Sequence, residues 1–140
     1  MSEVIRGGGG WYNGDTRADF TEYIDAAPIS ALDPVLWLEA DRMTTLDFSQ
    51  VNLDNQRSVV KEELRGSILN QPYQMFYVVD LPGKAFDRFP NSHSLIGDFS
   101  TLDAAAVEDL RVFYKSYYAP NNAIMAIVGD VVPDEVFGKV

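Results

Sequence analysis

Apolar residues recur at Leu53, Val60, Leu64 and Ile68 along NLDNQRSVVKEELRGSILN, residues 52–70. At roughly 100° per residue they fall in a stripe about 80° wide, which predicts a helix with that stripe as its buried face. Asn52 or Asp54 is placed to cap its first turn, Gly66 weakens it near its end, and Pro72 forbids continuation. A second helix is predicted over residues 31–46, where Leu32, Leu36, Ala40 and Met43 share a face. Ser30 and Asp33 form its capping box, and Pro34 falls in the first two turns, where a missing amide hydrogen matters least. A third helical region begins at Thr101 or Asp103 and is expected over 104–118, with Val107, Leu110, Arg111 and Tyr114 along one side. The run Tyr118-Ala119-Pro120-Asn121-Asn122 stops it.

Between the helices the pattern is that of strands. Residues 11–28 read as two extended segments, with Thr16, Phe20, Tyr23 and Ile24 favouring strand and Asn13-Gly14-Asp15 a turn or a bulge. Ala123 to Val128 is an apolar run bounded by Gly129-Asp130 and reads as a buried strand. Residues 74–87 are ambiguous: Met75 to Val79 fit a strand or a buried helix, and Leu81-Pro82-Gly83 interrupts them. Phe86, Phe89 and Pro90 read as packing loops, and Pro133 to Val140 opens a further helix. Gly7 to Gly10 lacks the spacing of a phosphate-binding loop and reads as a flexible lead or a tight entry into the strand at Trp11.

Composition narrows the function. The chain has 140 residues and 46% apolar content, enough for one globular domain or a piece of one. Twenty-one acidic against eleven basic residues give a formal charge of -10. With no cluster of Lys and Arg to displace counterions, nucleic acid is not an expected partner. No run approaches the eighteen apolar residues of a membrane span. The absence of cysteine excludes disulfides and thiolate chemistry, so any metal site must use oxygen and nitrogen.

The candidate chemistry centres on Glu63. It lies seven residues after Gln56, two turns along one line of the predicted helix, at the margin of the apolar stripe. A carboxylate against a core wall needs a charge partner or a cation, because burying it bare costs several kcal/mol, of the order known for buried unpaired charges. With Gln56, and Glu39 from the preceding helix, it forms one arm of an oxygen and nitrogen metal site. Glu39, Asp41 and Arg42 lie within ion-pair reach of one another. His93, the single histidine, is read as a loop residue; one histidine does not supply a two-histidine zinc site. If the edge of the strand at Trp11 is open, its backbone groups can bind an extended peptide as an added strand.

Several segments, taken together and in order, resemble a known family. Gly9-Gly10, Asn13, Thr16, Asp19, Thr21 and Tyr23 follow its GG..NA.T..D.T.Y pattern, with Gly14 where alanine is usual. Leu38-Glu39-Ala40-Asp41-Arg42-Met43 follows its L-E-x-D-R-M helix. Gln56 to Arg65, QRSVVKEELR, then Asn70-Gln71-Pro72-Tyr73, follow the segment that carries its third zinc ligand. Tyr117 to Ala123 and Val128-Gly129-Asp130 follow its YY.PNNA....GD ending. On these residues the chain resembles the pitrilysin/insulinase family of zinc metallopeptidases, which includes the mitochondrial processing peptidases.

The resemblance implies an α+β domain, a two-layer sandwich with a mostly antiparallel sheet and helices packed on one face. It makes Glu63 the third zinc ligand, and Gln56 stands where many members have a supporting glutamate. It makes the strand Trp11, Tyr12, Asn13, Gly14, Asp15 and Thr16 the one that pairs with the substrate backbone, and Asp19, Thr21 and Tyr23 structural. The activity it implies is peptide hydrolysis by metal-activated water. The family's HxxEH signature, with two zinc-binding histidines and the general base, does not occur in these 140 residues. The chain is therefore expected to be a partial N-terminal metallopeptidase-like domain over residues 1–140, lacking the first strands and the metal-binding helix. It carries no catalytic residue of its own and is expected to bind no zinc as an isolated chain, with Zn2+ held by the intact parent. Expected partners are an extended peptide or protein substrate and a second copy or second metallopeptidase-like domain. The alternative is a non-catalytic scaffold or partner subunit of the same architecture.

Overall fold

The structure, a computed structural model, describes residues 2–140. Met1, at the head of the lead-in read from the sequence, lies outside them. In chain order the elements are helix α1 (Ser2–Gly7), strands β1 (Trp11–Thr16) and β2 (Thr21–Ala26), and a 3-10 turn (Ile29–Ala31) running into helix α2 (Leu32–Arg42). Helix α3 (Gln50–Glu63) continues as a π-helical turn (Leu64–Leu69), and a second π-helical turn (Phe76–Asp80) leads into α4 (Leu81–Ala85). Then come α5 (Phe89–Ser92), α6 (Phe99–Ala104), α7 (Val107–Tyr117), a 3-10 turn (Pro120–Asn122) and α8 (Pro133–Phe137). The class is α+β as expected, with helix predominating and the sheet a single antiparallel hairpin among the described residues. The elements group into two units, residues 2–15, 21–46 and 114–140 in one and 16–20 and 47–113 in the other.

In the first unit the glycine run closes α1 and admits the strand. The amides of Gly8, Gly9 and Gly10 donate to the carbonyls of Val4, Arg6 and Ile5 at 2.8–3.0 Å, which satisfies the free end of the helix. Gly9 takes φ +81°, where a side chain is disfavoured. At Gly10 an added Cβ would stand 2.4 Å from the Ala26 carbonyl oxygen, so only glycine lets β2 approach. The run is thus a helix cap and a tight strand entry rather than a flexible lead. Ile5, Ala31, Leu38 and Val136 are the buried apolar residues of this unit. Helix α1 packs against α2, and Lys139 pairs with Asp33.

Helix α2 departs from its expected form. It is shorter than residues 31–46, and Ala31 precedes it with no side-chain cap, because Ser30 lies within a 3-10 turn and Asp33 within the first turn of the helix. Thr44 and Thr45 end it by turning their hydroxyls back to the Asp41 carbonyl. The inward line is Ala31, Val35, Leu38 and Arg42, at helical spacing, whereas Ala40 of the expected face is exposed. Leu32, Leu36 and Met43 of the expected face are half-buried, as Val35 and Arg42 are, so the covered side is broader than the predicted face and includes Arg42 with its partners.

In the second unit the central helix and its π-helical turn span residues 50–69, close to the expected 52–70. Its cap is Ser49 rather than Asn52 or Asp54. Ser49 has an extended backbone and its Oγ accepts from the Asn52 amide at 3.3 Å. Asn52 instead donates to the Asp47 carboxylate, and Asp54 is held by Arg57 and Gln50. Leu64 and Ile68 are buried, with Leu53 and Val60 half-buried on the same stripe. Arg57 donates to the carbonyls of Leu102 (2.8 Å) and Ala105 (2.7 Å), closing the end of α6. Lys61 pairs with Asp103, and the Arg65 guanidinium lies 4.9 Å from the Phe99 ring centre.

Four further expectations are corrected. Asn13-Gly14-Asp15 is neither turn nor bulge but the interior of β1, and the reversal falls at residues 17–20, where the Arg17 amide donates to the Phe20 carbonyl at 2.8 Å. Residues 76–85 are helical, and Pro82 does not interrupt them because it sits at the second position of α4, where no intrahelical donor is lost. The helix expected over 104–118 forms as α7, but its expected start at Thr101 or Asp103 lies in the separate helix α6, opened by a capping box between Asp98 and Thr101 and ended by Ala105 at φ -58°, ψ 128°. Bonds from the Thr101 amide and Ser100 hydroxyl hold the Asp98 carboxyl below its ordinary pKa. Finally, residues 123–128 form no strand: Ile124 is 100% and Val128 96% exposed. An extended segment becomes a strand only beside a partner, and the described sheet contains β1 and β2 alone.

Gly10→Ala is expected to lower the free energy of unfolding by about 1–3 kcal/mol, as overpacking against fixed backbone does. Urea denaturation at equilibrium checks it, and an unchanged midpoint would mean that β2 can recede from Gly10.

Candidate functional site

Strand β1 pairs with β2 and with no other described strand. Trp11, Asn13, Gly14 and Thr16 are exposed, while Tyr12 and Asp15 are half-buried. Tyr12 carries the Arg6 guanidinium 5.5 Å from its ring centre. An added peptide strand takes its affinity from backbone bonds and its selection from side-chain positions along the strand it joins. At Gly14 a Cβ would meet the Tyr23 ring at 3.6 Å, an ordinary van der Waals distance.

Glu63 closes α3, one residue before the π-helical turn. It is exposed, as is Gln56, so neither lies against the core wall expected from the stripe. The stripe is narrower than anticipated, and α3 itself has no fully buried residue. The neighbouring charges are engaged elsewhere: Glu62 with Arg65, Lys61 with Asp103 and Arg57 with Asp54. The Glu39 carboxylate accepts from Arg42 Nη2 at 2.7 Å. His93 caps α5, its Nδ1 2.6 Å from the Phe89 carbonyl oxygen and its ring stacked on Phe89 at 4.3 Å. Among the described residues no three His, Cys, Asp or Glu side chains gather as a metal site. A tetrahedral zinc centre needs three or four such donors, so the described residues alone do not fit one.

A second polar cluster, in the first unit, was only partly legible. The Arg42 guanidinium lies 3.9 Å from the Tyr23 ring centre. The hydroxyls of Tyr23 and Tyr118 share a hydrogen bond of 2.6 Å, and Tyr114 donates to the Arg42 carbonyl at 2.6 Å. Burial, and then the Tyr118 hydrogen bond, push the Tyr23 hydroxyl up to about 12 against the opposing Arg42 charge. Burial also raises Tyr114, helped by the Asp41 carboxylate. Burial, and then the hydrogen bond to Asp25, push the Glu39 carboxyl up to about 7 although Arg42 opposes the shift. Asp25 was missed as a partner. Its signal was the period of two that places it on the same face of β2 as Tyr23.

Three comparisons bear on this arrangement. Residues 105–140 match a family described as the Peptidase M16 inactive domain. The chain is 31% identical over 137 residues to the zinc protease PqqE of Helicobacter pylori, covering 98% of this chain and 31% of that protein. It also superposes on the crystal structure of a protease from Helicobacter pylori with a TM-score of 0.88 and 30% identity, covering 98% of this chain and 33% of that one. The chain thus spans about a third of the length of these relatives.

Gly14→Ala is expected to stabilise the hairpin by about 0.5–1 kcal/mol, the usual difference between glycine and alanine inside a strand. The new methyl would sit on the Tyr23 ring. A lower thermal midpoint would show that β1 needs glycine there for close approach.

Proposed function

We propose, from the premise that the chain belongs to the pitrilysin/insulinase lineage of M16 peptidases, that it is one segment of a zinc-dependent endopeptidase. In this reading it is part of an N-terminal metallopeptidase-like domain. Its β1 strand, Trp11 to Thr16, lines the substrate path, and Glu63 is a single metal-directed carboxylate supported by Gln56. The remaining donors come from other residues of the parent. The observation that carries the reading is that β1 has β2 as its single strand neighbour among the described residues, the kind of strand beside which an extended peptide can add. The exposed Glu63 carboxylate, with no ion pair among the described residues, supports it. The chain alone neither hydrolyses peptides nor holds zinc tightly. A second copy or a second metallopeptidase-like domain completes the substrate chamber.

The second reading is a non-catalytic partner subunit of the same architecture. The match of residues 105–140 to a domain described as inactive favours it. So does Gln56, an amide that cannot exchange a proton as a glutamate would.

Titration calorimetry of zinc into the chain and into Glu63→Gln tests the first reading. Neither protein is expected to bind tighter than about 1 μM. Binding of that strength in the chain, abolished in Glu63→Gln, would mean that the chain completes a site by itself. Hydrogen exchange tests the strand: an added extended peptide is expected to protect amides within residues 11–16. Unaltered exchange there would remove β1 from the substrate path.

A further inference from the structure

The tyrosines around Arg42 form a feature that the peptidase reading does not use. An isolated two-stranded hairpin is marginal in water, and half of β1 is Asn13-Gly14-Asp15, residue types that strands disfavour. Yet β1 is strand throughout Trp11–Thr16. Its middle lies against Tyr23: a Cβ built at Gly14 would stand 3.6 Å from two carbons of the Tyr23 ring, so the ring lies across the strand where no side chain intervenes. Tyr23 is 42% exposed, so burial alone does not fix that ring. Its neighbours do. The Arg42 guanidinium carbon lies 3.9 Å from the ring centre, and the Tyr118 ring meets it edge-on at 6.4 Å, with the two hydroxyls 2.6 Å apart. Tyr118 stacks on Tyr114 at 5.2 Å, and Tyr114 donates back to the Arg42 carbonyl at 2.6 Å. The contacts thus run in a closed circuit from β2 to α2, to α7 and the residue after it, and back to β2.

We propose that Tyr23 is a positioning residue for β1: clasped by Arg42 and Tyr118, its ring holds Gly14 and the residues beside it in strand form before any peptide arrives. Each residue type has its reason. The ring face is taken by the guanidinium, whose flat, delocalised charge stacks where a lysine ammonium does not. The hydroxyl is taken by Tyr118, a contact that a phenylalanine does not make. Glycine at position 14 leaves the space across which the ring lies. Arg42 is itself fixed by Glu39 at 2.7 Å, and its side chain is only 9% exposed. At the start of the strand Tyr12 has a hold of its own, with Arg6 of α1 5.5 Å from its ring centre. An extended peptide that adds to a preformed strand orders only itself on binding, which raises its affinity without any contact to Tyr23, Arg42 or Tyr118. That benefit to a peptide rests on the proposed function, whereas the clasp does not.

Hydrogen exchange on the whole chain, first without peptide, tests the clasp. Tyr23→Phe and Tyr118→Phe each break the same bond between hydroxyls and keep the rings. Each is expected to speed exchange within residues 11–16 by about 2- to 10-fold, the factor that one net hydrogen bond supplies. The double variant is expected to go no further, because the two hydroxyls act as one contact. Amides inside α2 are expected to keep their wild-type rates. Unchanged rates in residues 11–16, additive effects in the double variant, or equal speeding in α2, the mark of a general loss of stability, would overturn the proposal. A blocked peptide of alternating threonine and valine is then titrated into the same proteins. The peptide concentration that half-protects residues 11–16 is expected to rise by the same factor in each single variant. An equal concentration in wild type and variants would overturn the positioning role. A peptide that protects β1 in none of them, wild type included, overturns the proposed function instead, and the rates without peptide decide the clasp.

Discussion

Arg42 is the side chain on which the first unit turns. Its guanidinium reaches Glu39 and lies against the Tyr23 ring, and its carbonyl receives the Tyr114 hydroxyl. A desolvated cation over an aromatic face contributes about 2 kcal/mol. A hydrogen bond to a charged group adds roughly 1.5–3 kcal/mol. Both depend on shielding from water, and the Arg42 side chain is only 9% exposed. The arrangement also explains which face of α2 is buried. Leu32 and Leu36 are half-buried beside the line of Val35, Leu38 and Arg42, which keeps Arg42 with its partners. A buried guanidinium without partners costs more than a leucine left half in water.

This competition marks where the sequence is readable and where it is not. The stripe Leu53, Val60, Leu64 and Ile68 has one apolar face and no rival, and the helix appears where the period puts it. In α2 the period identified the helix and the half-buried Leu32, Leu36 and Met43, but not the burial of Arg42, because periodicity measures hydrophobicity and is blind to ion pairs. The strand expected at 123–128 failed for another reason. A strand's stability is held jointly with its neighbour, and composition describes only one member of the pair. Helix caps were misplaced by a few residues at Ser49 and Ala31, since any nearby Ser, Asn or Asp satisfies the pattern until the backbone selects one. The break at Ala105 left no signal, because alanine is the best of helix formers.

At the candidate site the extended form of residues 11–16 and the position of Glu63 near a helix end follow from local sequence. That Glu63 faces water does not, because its surroundings depend on residues far along the chain. The Asp25 and Glu39 contact was half visible: the spacing of Glu39 and Arg42 predicted their ion pair, but nothing in the pattern said that a second carboxylate would come from β2. Contacts within one element are written in its period. Contacts between elements are written in the pairing of faces, which two periods read separately do not supply.

The uncovered segment Ala123 to Val128 carries a consequence for how copies of this chain behave together. It is six residues of alanine, isoleucine, methionine and valine, without charge or proline, with Ile124 and Val128 fully in water. Such a segment is a template for stacking on its like in other copies. What opposes stacking is the formal charge of -10, which repels one molecule from the next. That repulsion reaches only about 10 Å at 0.1 M salt and about 3 Å at 1 M. Ionic strength therefore sets the colloidal state of the chain: dilute buffer keeps the sticky segments apart, and concentrated salt lets them meet.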